Sequence, residues 1–164
     1  MKILNDRQIK QKIKRLAIEI VERNCDEEEI ILAGINNNGI RFAELLMNHL
    51  LEISDIPITV TRIRLNPAAP NSHDIIIEMP EEQLRDKVVI VTDDVANTGR
   101  TLFYAFKPVL ETLPKKLEVA VLVDRKHKSF PIRVDYVGLS LATTLKENID
   151  VKIKEVEEFS VFLN

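Results

Sequence analysis

The chain has 164 residues, of which 45% are hydrophobic and 30% charged, and its formal net charge is −3. That length fits one ordinary domain spanning 1–164, and the composition is globular rather than disordered or collagen-like. The acidic balance gives no overall basic field of the kind that attracts nucleic acid. A single cysteine, Cys25, excludes an intrachain disulfide framework and a multi-cysteine zinc site.

The N-terminal segment and the apolar runs bear on localisation. Lys2, Asp6 and Arg7 interrupt the segment with charge, so it lacks the apolar region of a signal peptide. No stretch approaches the roughly 20 apolar residues that a membrane span needs. The sequence therefore predicts a cytoplasmic protein that makes no membrane contact.

The first half of the chain alternates helical and strand patterns. Apolar spacing predicts helices at 6–24 and 40–50 and strands at 30–33 and 58–65. Asn5 or Asp6 is well placed to cap the first helix. A polar loop at 34–39 precedes the second helix, and one slip in the alternation of the second strand indicates a bulge.

The second half continues the pattern. Strands are predicted at 74–78, 87–92, 117–124, 133–137 and 151–156, with a helix at 100–113 that Pro108 bends. Strands that alternate with helices imply parallel crossovers, so we predict an α/β fold whose mainly parallel sheet is flanked by helices. There is no internal repeat and no sign of a second domain.

Polar segments follow three of these strands. In open α/β sheets, ligands bind beyond the carboxyl ends of the strands. The segments Ile35–Gly39, Asp93–Gly99 and Asp124–Lys128 all fall at that edge. We therefore expect them to converge on one site.

The segment at 88–101, VVIVTDDVANTGRT, carries the most specific chemistry. Asp93 and Asp94 offer acceptors to vicinal hydroxyls or ligands to a hydrated Mg²⁺. Small and hydroxylated residues at 96–101, with Gly99 free of a Cβ, let backbone N–H groups face one anion at a helix N-terminus. Carboxylates that accept from two vicinal hydroxyls, next to a turn that can bind a phosphate, are what a ribose 5-phosphate site requires. The competing interpretation is an ordinary helix cap followed by a Thr-Gly turn.

Other phosphate-binding motifs do not fit. Gly34 and Gly39 have the glycine spacing of a P-loop, but Ile40 and Arg41 stand where Lys and Ser or Thr are required. No G-x-G-x-x-G sequence exists, so a dinucleotide site is unsupported.

The pattern of two acids followed by Thr-Gly-Arg-Thr resembles the phosphoribosyl pyrophosphate (PRPP) motif of type I phosphoribosyltransferases. The resemblance extends to the branch of bifunctional pyrimidine-operon attenuators and uracil phosphoribosyltransferases. The stretches that carry it are 18–24, 34–40, 88–101, 120–127 and 131–138. Among them, 120–138 is more specific to the branch than the PRPP motif itself.

The resemblance implies a type I phosphoribosyltransferase fold, a homo-oligomer and a role for each segment. Asp93 and Asp94 would hold the ribose hydroxyls and reach Mg²⁺ indirectly, through PRPP and water. The ribose-phosphate site would comprise these two residues with Ala96, Asn97, Thr98, Gly99, Arg100 and Thr101. The pyrophosphate loop would comprise Ile35, Asn36, Asn37, Asn38 and Gly39. Asp124 and Arg125 would lie near the base, although a strand-end ion pair is the alternative for them.

Three features depart from the family pattern. The loop at 36–38 is all asparagine where the branch has basic residues, so it supplies no positive charge to a departing pyrophosphate. The segment at 61–67 has two arginines and no tyrosine where the family has a Tyr-Arg-Asp-like element, so Arg62 or Arg64 would take the pyrophosphate-facing catalytic role, unless both are simply exposed strand residues that aid solubility. Asn97 stands where hypoxanthine-type relatives have a proton-accepting Asp, and a neutral amide cannot take a proton, which favours a pyrimidine.

Three functions follow as hypotheses. The first is PRPP-dependent transfer of a phosphoribosyl group to a nucleobase, with uracil the favoured base. The second is a nucleotide-responsive RNA-binding regulator of pyrimidine genes. Seven Lys and Arg against three acids in residues 1–24 support it, whereas the acidic chain and the scarcity of aromatic residues oppose it. The third is a PRPP or nucleotide sensor that has lost its chemistry.

Overall fold

The computed structural model describes residues 1–164, which form two β-sheets and four helices. The strands are β1 (Lys2–Leu4), β2 (Ile30–Ile35), β3 (Ile58–Arg64), β4 (Ile76–Ile77), β5 (Val88–Ala96), β6 (Lys116–Arg125), β7 (Tyr136–Leu141), β8 (Ile149–Lys152) and β9 (Ser160–Leu163). The helices are α1 (Asp6–Asn24), α2 (Asn36–Ile53), α3 (Glu81–Leu84) and α4 (Arg100–Leu110).

The main sheet has the strand order β4-β3-β2-β5-β6-β7. All of its pairings are parallel except that of the short β4, which runs antiparallel to β3. This arrangement confirms the predicted α/β fold with a mainly parallel sheet. A second, antiparallel sheet in the order β1-β9-β8 joins the two ends of the chain and was not predicted from the sequence.

Helices cover both faces of the main sheet. On one face, α1 and α2 pack over alternate side chains of the strands, among them Leu32 and Ile90. On the other face, α4 packs over the intervening side chains, such as Val89 and Val91. The first cluster also contains residues of the small sheet, such as Val161, so the two sheets share one core.

The first helix forms as the sequence predicts. Asn5 caps it in a reciprocal capping box, in which the Asn5 side chain accepts from the Gln8 backbone N–H and the Gln8 side chain accepts from that of Asn5, both at 2.9 Å. Its apolar stripe is completely buried against the sheet.

Several predicted boundaries were wrong. The bulge predicted in β3 is absent, because its register with β2 is continuous from Ile30↔Ile58 to Ile35↔Ile63. Strand β5 continues to Ala96, since its pairing with β6 extends past the acidic pair. Helix α2 begins at Asn36, so the asparagines form its first turn rather than a preceding loop. The strand predicted at 133–137 lies at 136–141, and the one predicted at 151–156 is replaced by β8 and β9.

Two glycines allow the main chain to approach itself where β2 turns into α2. A Cβ at Gly34 would lie 2.5 Å from the Ile40 backbone nitrogen, and one at Gly39 would lie 2.5 Å from the Thr92 carbonyl oxygen. The Thr92 hydroxyl also donates a 2.9 Å hydrogen bond to the Gly39 carbonyl oxygen. Together these contacts hold the first turn of α2 against the end of β5.

This close approach predicts that Gly39→Ala is destabilising. The added methyl group meets backbone atoms that cannot rotate away, so we expect a loss of about 1–3 kcal/mol in the free energy of unfolding. Chemical denaturation measures that loss. Asn48→Ala, at an exposed position of the same helix, is the control and should change stability by less than about 0.5 kcal/mol. Equal stability of the two variants would contradict the tight contact.

Candidate functional site

A cleft of about 410 Å³ opens at the carboxyl ends of β2 and β5. Its lining residues are Ile35, Asn36, Asn37, Asn38, Pro67, Asp93, Asp94, Val95, Asn97, Thr101 and Ile149. Two of the three polar segments identified in the sequence therefore meet in one cleft. The third contributes no lining residue, and reaches the cleft only through a contact between Arg125 and Asn97.

The acidic pair is held in place by hydrogen bonds from its own backbone. The Asp93 carboxylate accepts from the Asp94 N–H at 2.9 Å, and the Asp94 carboxylate accepts from the Val95 N–H at 2.8 Å and from the Asn38 amide at 3.1 Å. Burial, together with the Asp94 charge, raises the pKa of Asp93 well above its usual range. Burial also raises the pKa of Asp94. Two neighbouring carboxylates whose charged forms are disfavoured by burial are suited to a ligand that brings hydroxyl groups or positive charge.

The N-terminus of α4 is left open. Its N-cap is Gly99, whose φ of 86° places it in the left-handed region, and no side chain caps the helix. A second cleft, of about 540 Å³, lies over this turn and is lined by residues 95–102 with Pro67, Ser129 and Phe130. Unpaired backbone N–H groups at a helix N-terminus form an anion site. The turn at residues 96–101, for which the sequence predicts a phosphate cradle, is thus open to the cleft.

The segment after β6 supports this cradle from below. The backbone N–H groups of Ser129 and Phe130 donate to the Thr98 carbonyl oxygen at 3.0 and 3.2 Å. Ile132 packs so closely beneath Gly99 that a Cβ on the glycine would lie 3.1 Å from it. The sequence analysis did not assign these residues to the site. The only sequence signal for them was the resemblance across 120–138.

The three asparagines at the start of α2 have different roles. Asn36, with a φ of 50°, both donates to the Leu65 carbonyl oxygen at 2.8 Å and accepts from the Leu65 N–H at 3.1 Å. Asn38 donates to Asp94. Asn37 is exposed at the mouth of the acidic cleft. Because α2 has no side-chain cap either, its first turn also presents free N–H groups to the cleft.

The two arginines of β3 lie beside this turn. They line a third cleft, of about 440 Å³, which shares Asn36 and Asn37 with the acidic cleft. Arg64 is mostly exposed and pairs with Glu78 at 2.5 Å, whereas Arg62 is 3.9 Å from Glu78 and its buried Nε atom has no hydrogen-bond partner. The Arg62 guanidinium therefore has donor capacity to spare.

The loop after β3 is tied across the site. Arg100, at the start of α4, donates a 2.8 Å hydrogen bond to the Pro67 carbonyl oxygen. Pro67 lines both the acidic cleft and the cleft over the α4 N-terminus. No local sequence pattern indicates this contact between the 66–71 loop and α4.

Asp124 and Arg125 lie at the end of β6, beside the clefts. The Asp124 carboxylate pairs with Lys128 at 2.6 Å, and Lys128 also donates to the Arg125 carbonyl oxygen. The alternative that the sequence left open, a strand-end ion pair, therefore forms, but with Lys128 as its basic partner. Arg125 extends instead towards Asn97, Thr143 and Thr144.

The side chains alone do not form a metal centre. No group of three or more His, Cys, Asp or Glu side chains is arranged to hold a metal ion. Asp93 and Asp94 can contribute two carboxylates at most, so a cation here needs further oxygen ligands from a bound molecule and water.

None of the four helices has the length and apolar character that a membrane crossing requires.

Comparisons with known proteins agree with this geometry. The phosphoribosyl transferase domain model matches residues 1–156. The bifunctional protein PyrR of Clostridium acetobutylicum is 35% identical, with 96% of this chain and 92% of that protein covered. The protein of the same name from Fusobacterium nucleatum is 36% identical, with 96% and 93% covered.

Solved structures with a similar fold are more distant in sequence. The hypoxanthine phosphoribosyltransferase of Trypanosoma cruzi aligns with a TM-score of 0.79 at 17% identity, covering 98% of this chain and 94% of that one. A hypoxanthine-guanine phosphoribosyltransferase from Bacillus anthracis aligns with a TM-score of 0.77 at 21% identity, covering 98% and 97%. At these identities the likeness shows a shared fold.

The raised pKa values predict that Asp93→Asn stabilises the protein. Neutralising one of two crowded carboxylates should raise the free energy of unfolding at pH 7 by roughly 1 kcal/mol, a common gain when a functional-site cost is removed. A raised folded-state pKa means that protonation favours the folded chain, so the gain should vanish below about pH 4, where unfolded carboxyls are protonated too. Thermal melts at several pH values measure it.

The control for this prediction is Asp55→Asn, which neutralises an exposed carboxylate outside the site and should leave stability unchanged. A destabilised Asp93→Asn variant at pH 7 would show that the acidic pair is not under electrostatic strain.

Proposed function

The chain belongs to the phosphoribosyl transferase domain family, and on that premise we propose that it transfers the phosphoribosyl group of PRPP to uracil and releases pyrophosphate. The observation that carries the proposal is the pair of uncapped helix N-termini, at α2 and α4, which flank the acidic pair. The N-terminus of α1, in contrast, has a full capping box. PRPP carries anionic groups at both ends of a ribose diol, so the spacing of these features matches its chemistry.

The α4 end suits the 5-phosphate. Residues 96–101 form the turn around Gly99, where backbone N–H groups can surround a phosphate and the Lys128 side chain lies close by. Asp93 and Asp94 then lie beside the ribose, where carboxylate oxygens accept from the 2- and 3-hydroxyls. Those hydroxyls offset the burial that raises the pKa of both carboxyls.

The α2 end suits the pyrophosphate. Asn37 and the first N–H groups of the helix face the cleft, but none of them carries a full positive charge. Arg62 lies in the adjoining cleft and is only loosely paired with Glu78. We propose that its guanidinium supplies the charge that a basic residue in the loop supplies elsewhere in the branch. Arg64, already paired with Glu78, is the lesser contributor.

A divalent cation fits this arrangement if it enters the site bound to the substrate. Mg²⁺ bound to the pyrophosphate and ribose oxygens of PRPP would neutralise leaving-group charge. Asp93 and Asp94 would contact it through water and the ribose hydroxyls, in keeping with the lack of a protein-only metal site.

Transfer exchanges one bond at the anomeric carbon. The bond to the pyrophosphate oxygen breaks, a bond to the ring nitrogen of the base forms, and that nitrogen passes its proton to water. The residues contribute by positioning and by electrostatics, since no side chain is placed as a nucleophile. The Arg100 contact to Pro67 holds the 66–71 loop over the cleft, which limits access of water to the reacting carbon.

Uracil is favoured among the bases for two reasons. The sequence resembles the pyrimidine branch across 120–138, and Asn97 lines the cleft with a neutral amide that cannot accept a proton from a purine.

The proposed activity predicts release of pyrophosphate and formation of UMP when the protein is incubated with PRPP, Mg²⁺ and uracil. Asp93→Asn should lower the rate at least about 100-fold, because the ribose contact is lost at the reacting centre. Chromatography of the nucleotide product measures it. As the same variant is expected to be more stable, its inactivity cannot be attributed to unfolding. Tight PRPP binding without turnover of any base would establish the sensor hypothesis instead.

The role of Arg62 is tested by Arg62→Met, which removes the charge and keeps an aliphatic side chain. We expect kcat/KM for PRPP to fall about tenfold, the equivalent of one charge-assisted contact. Arg64→Met is the matched control on the same strand and should stay within about twofold of the parent, in line with a weak surface ion pair. A larger effect of Arg64→Met would reverse the assignment.

The alternative of an RNA-binding regulator has less support from the structure. The relatives are named bifunctional, and α1 is rich in basic residues. Several of those side chains are occupied within the chain, however. Lys10 pairs with Asp6, while Arg15 pairs with Glu19 and also donates to two β7 carbonyl oxygens. The transferase is therefore the function we propose.

A further inference from the structure

We infer that Arg125 fixes the side-chain amide of Asn97 as a hydrogen-bond donor, and that this amide selects a base with a carbonyl oxygen beside its reacting nitrogen. The inference rests on the proposed function for the identity of the ligand. It assigns Asn97 as a specificity-determining residue and Arg125 as a positioning residue that does not touch the base.

Arg125 is held by contacts from all three of its side-chain nitrogens. Its Nε atom donates to the Thr143 hydroxyl at 2.6 Å, its Nη2 atom to the Thr144 carbonyl oxygen at 2.9 Å, and its Nη1 atom to the Asn97 Oδ1 atom at 3.2 Å. A guanidinium fixed in this way at three points is pre-organised. It has little freedom to swing into the cleft.

This contact sets the polarity of Asn97. Because Arg125 can only donate, it holds the oxygen of the amide and leaves the NH₂ group as the part free to meet a ligand. Asn97 is exposed and lines both the acidic cleft and the cleft over the α4 N-terminus. The NH₂ group is therefore available where a base attached to the bound ribose would extend.

A fixed donor at this position discriminates between bases. In uracil, the C2 carbonyl oxygen is adjacent to N1, the atom that bonds to ribose, and it accepts from an amide NH₂. A base that instead presents an N–H group would place that donor against the donating NH₂ group of Asn97. Neither group would then have an acceptor, which costs free energy when both are removed from water. Asn97 can also take no proton, so a base whose transfer depends on a proton acceptor there is disfavoured.

Binding of three ligands tests the inference without requiring turnover. UMP carries the base, ribose 5-phosphate lacks it, and comparing their affinities by calorimetry isolates the contact to uracil. For Asn97→Ala we expect UMP to bind about 5- to 20-fold more weakly, with ribose 5-phosphate changed less than about threefold. Arg125→Met should weaken UMP about 3- to 10-fold for the same reason, since the amide becomes free to rotate. PRPP is the third ligand, and its affinity should follow that of ribose 5-phosphate.

Thr143→Ala is the matched control. It removes only the Nε contact of Arg125 and leaves its contacts to the Thr144 carbonyl oxygen and to Asn97, so the ratio of UMP to ribose 5-phosphate affinity should stay within about twofold of the parent. If Thr143→Ala lowers that ratio as much as Arg125→Met does, Arg125 acts by holding the loop and the inference is overturned. It is overturned as well if Asn97→Ala leaves the ratio unchanged.

A second readout uses the reaction itself. Asn97→Asp replaces the donor with an acceptor and should shift the ratio of kcat/KM for uracil to that for hypoxanthine at least about tenfold towards hypoxanthine. An unchanged ratio would count against the inference. If the parent protein transfers no base at all, the proposed transferase function fails, while the nucleotide titrations still decide the role of Asn97.

Discussion

The backbone contact between α2 and β5 is the constraint on which the site depends. Gly39 lies against the Thr92 carbonyl oxygen with no room for a side chain, and the Thr92 hydroxyl holds the Gly39 carbonyl in return. Since β2 and β5 are parallel neighbours, this contact brings the open N-terminus of α2 directly beside Asp93 and Asp94. The distance between the open N-terminus of α2 and the acidic pair is thus set by main chain rather than by flexible side chains.

The site also contains features that, taken by themselves, make the folded state less stable. Two helices begin without side-chain caps, and burial raises the pKa values of two neighbouring carboxylates. The N-terminus of α1, by contrast, is closed by a capping box. An anionic, hydroxyl-bearing ligand would satisfy all of these groups together, which is why we interpret their concentration at one edge of the sheet as functional.

The residues that depart from the family pattern are integrated into the structure. Asn36 ties the first turn of α2 to Leu65, and Asn38 ties it to Asp94. The charge absent from this turn is present in the adjoining cleft, on Arg62. Asn97, in turn, is oriented by Arg125 from the next strand. The departures from the family pattern at Asn36, Asn38 and Asn97 are therefore accompanied by contacts that give these side chains defined orientations.

By itself, the sequence determined the fold class, α1 with a cap at Asn5 or Asp6, the strands β2, β5 and β6, and the local order of acidic pair and Thr-Gly turn in 88–101. These features are local, because periodicity, caps and an ordered motif are encoded within about 20 consecutive residues. Tertiary structure decided what depends on distant segments. Pairing with β6 carried β5 to Ala96, and pairing of the chain ends created the small sheet. The contacts of Pro67, Ser129 and Arg125 with the site likewise join residues far apart in the chain, and no local pattern encodes them.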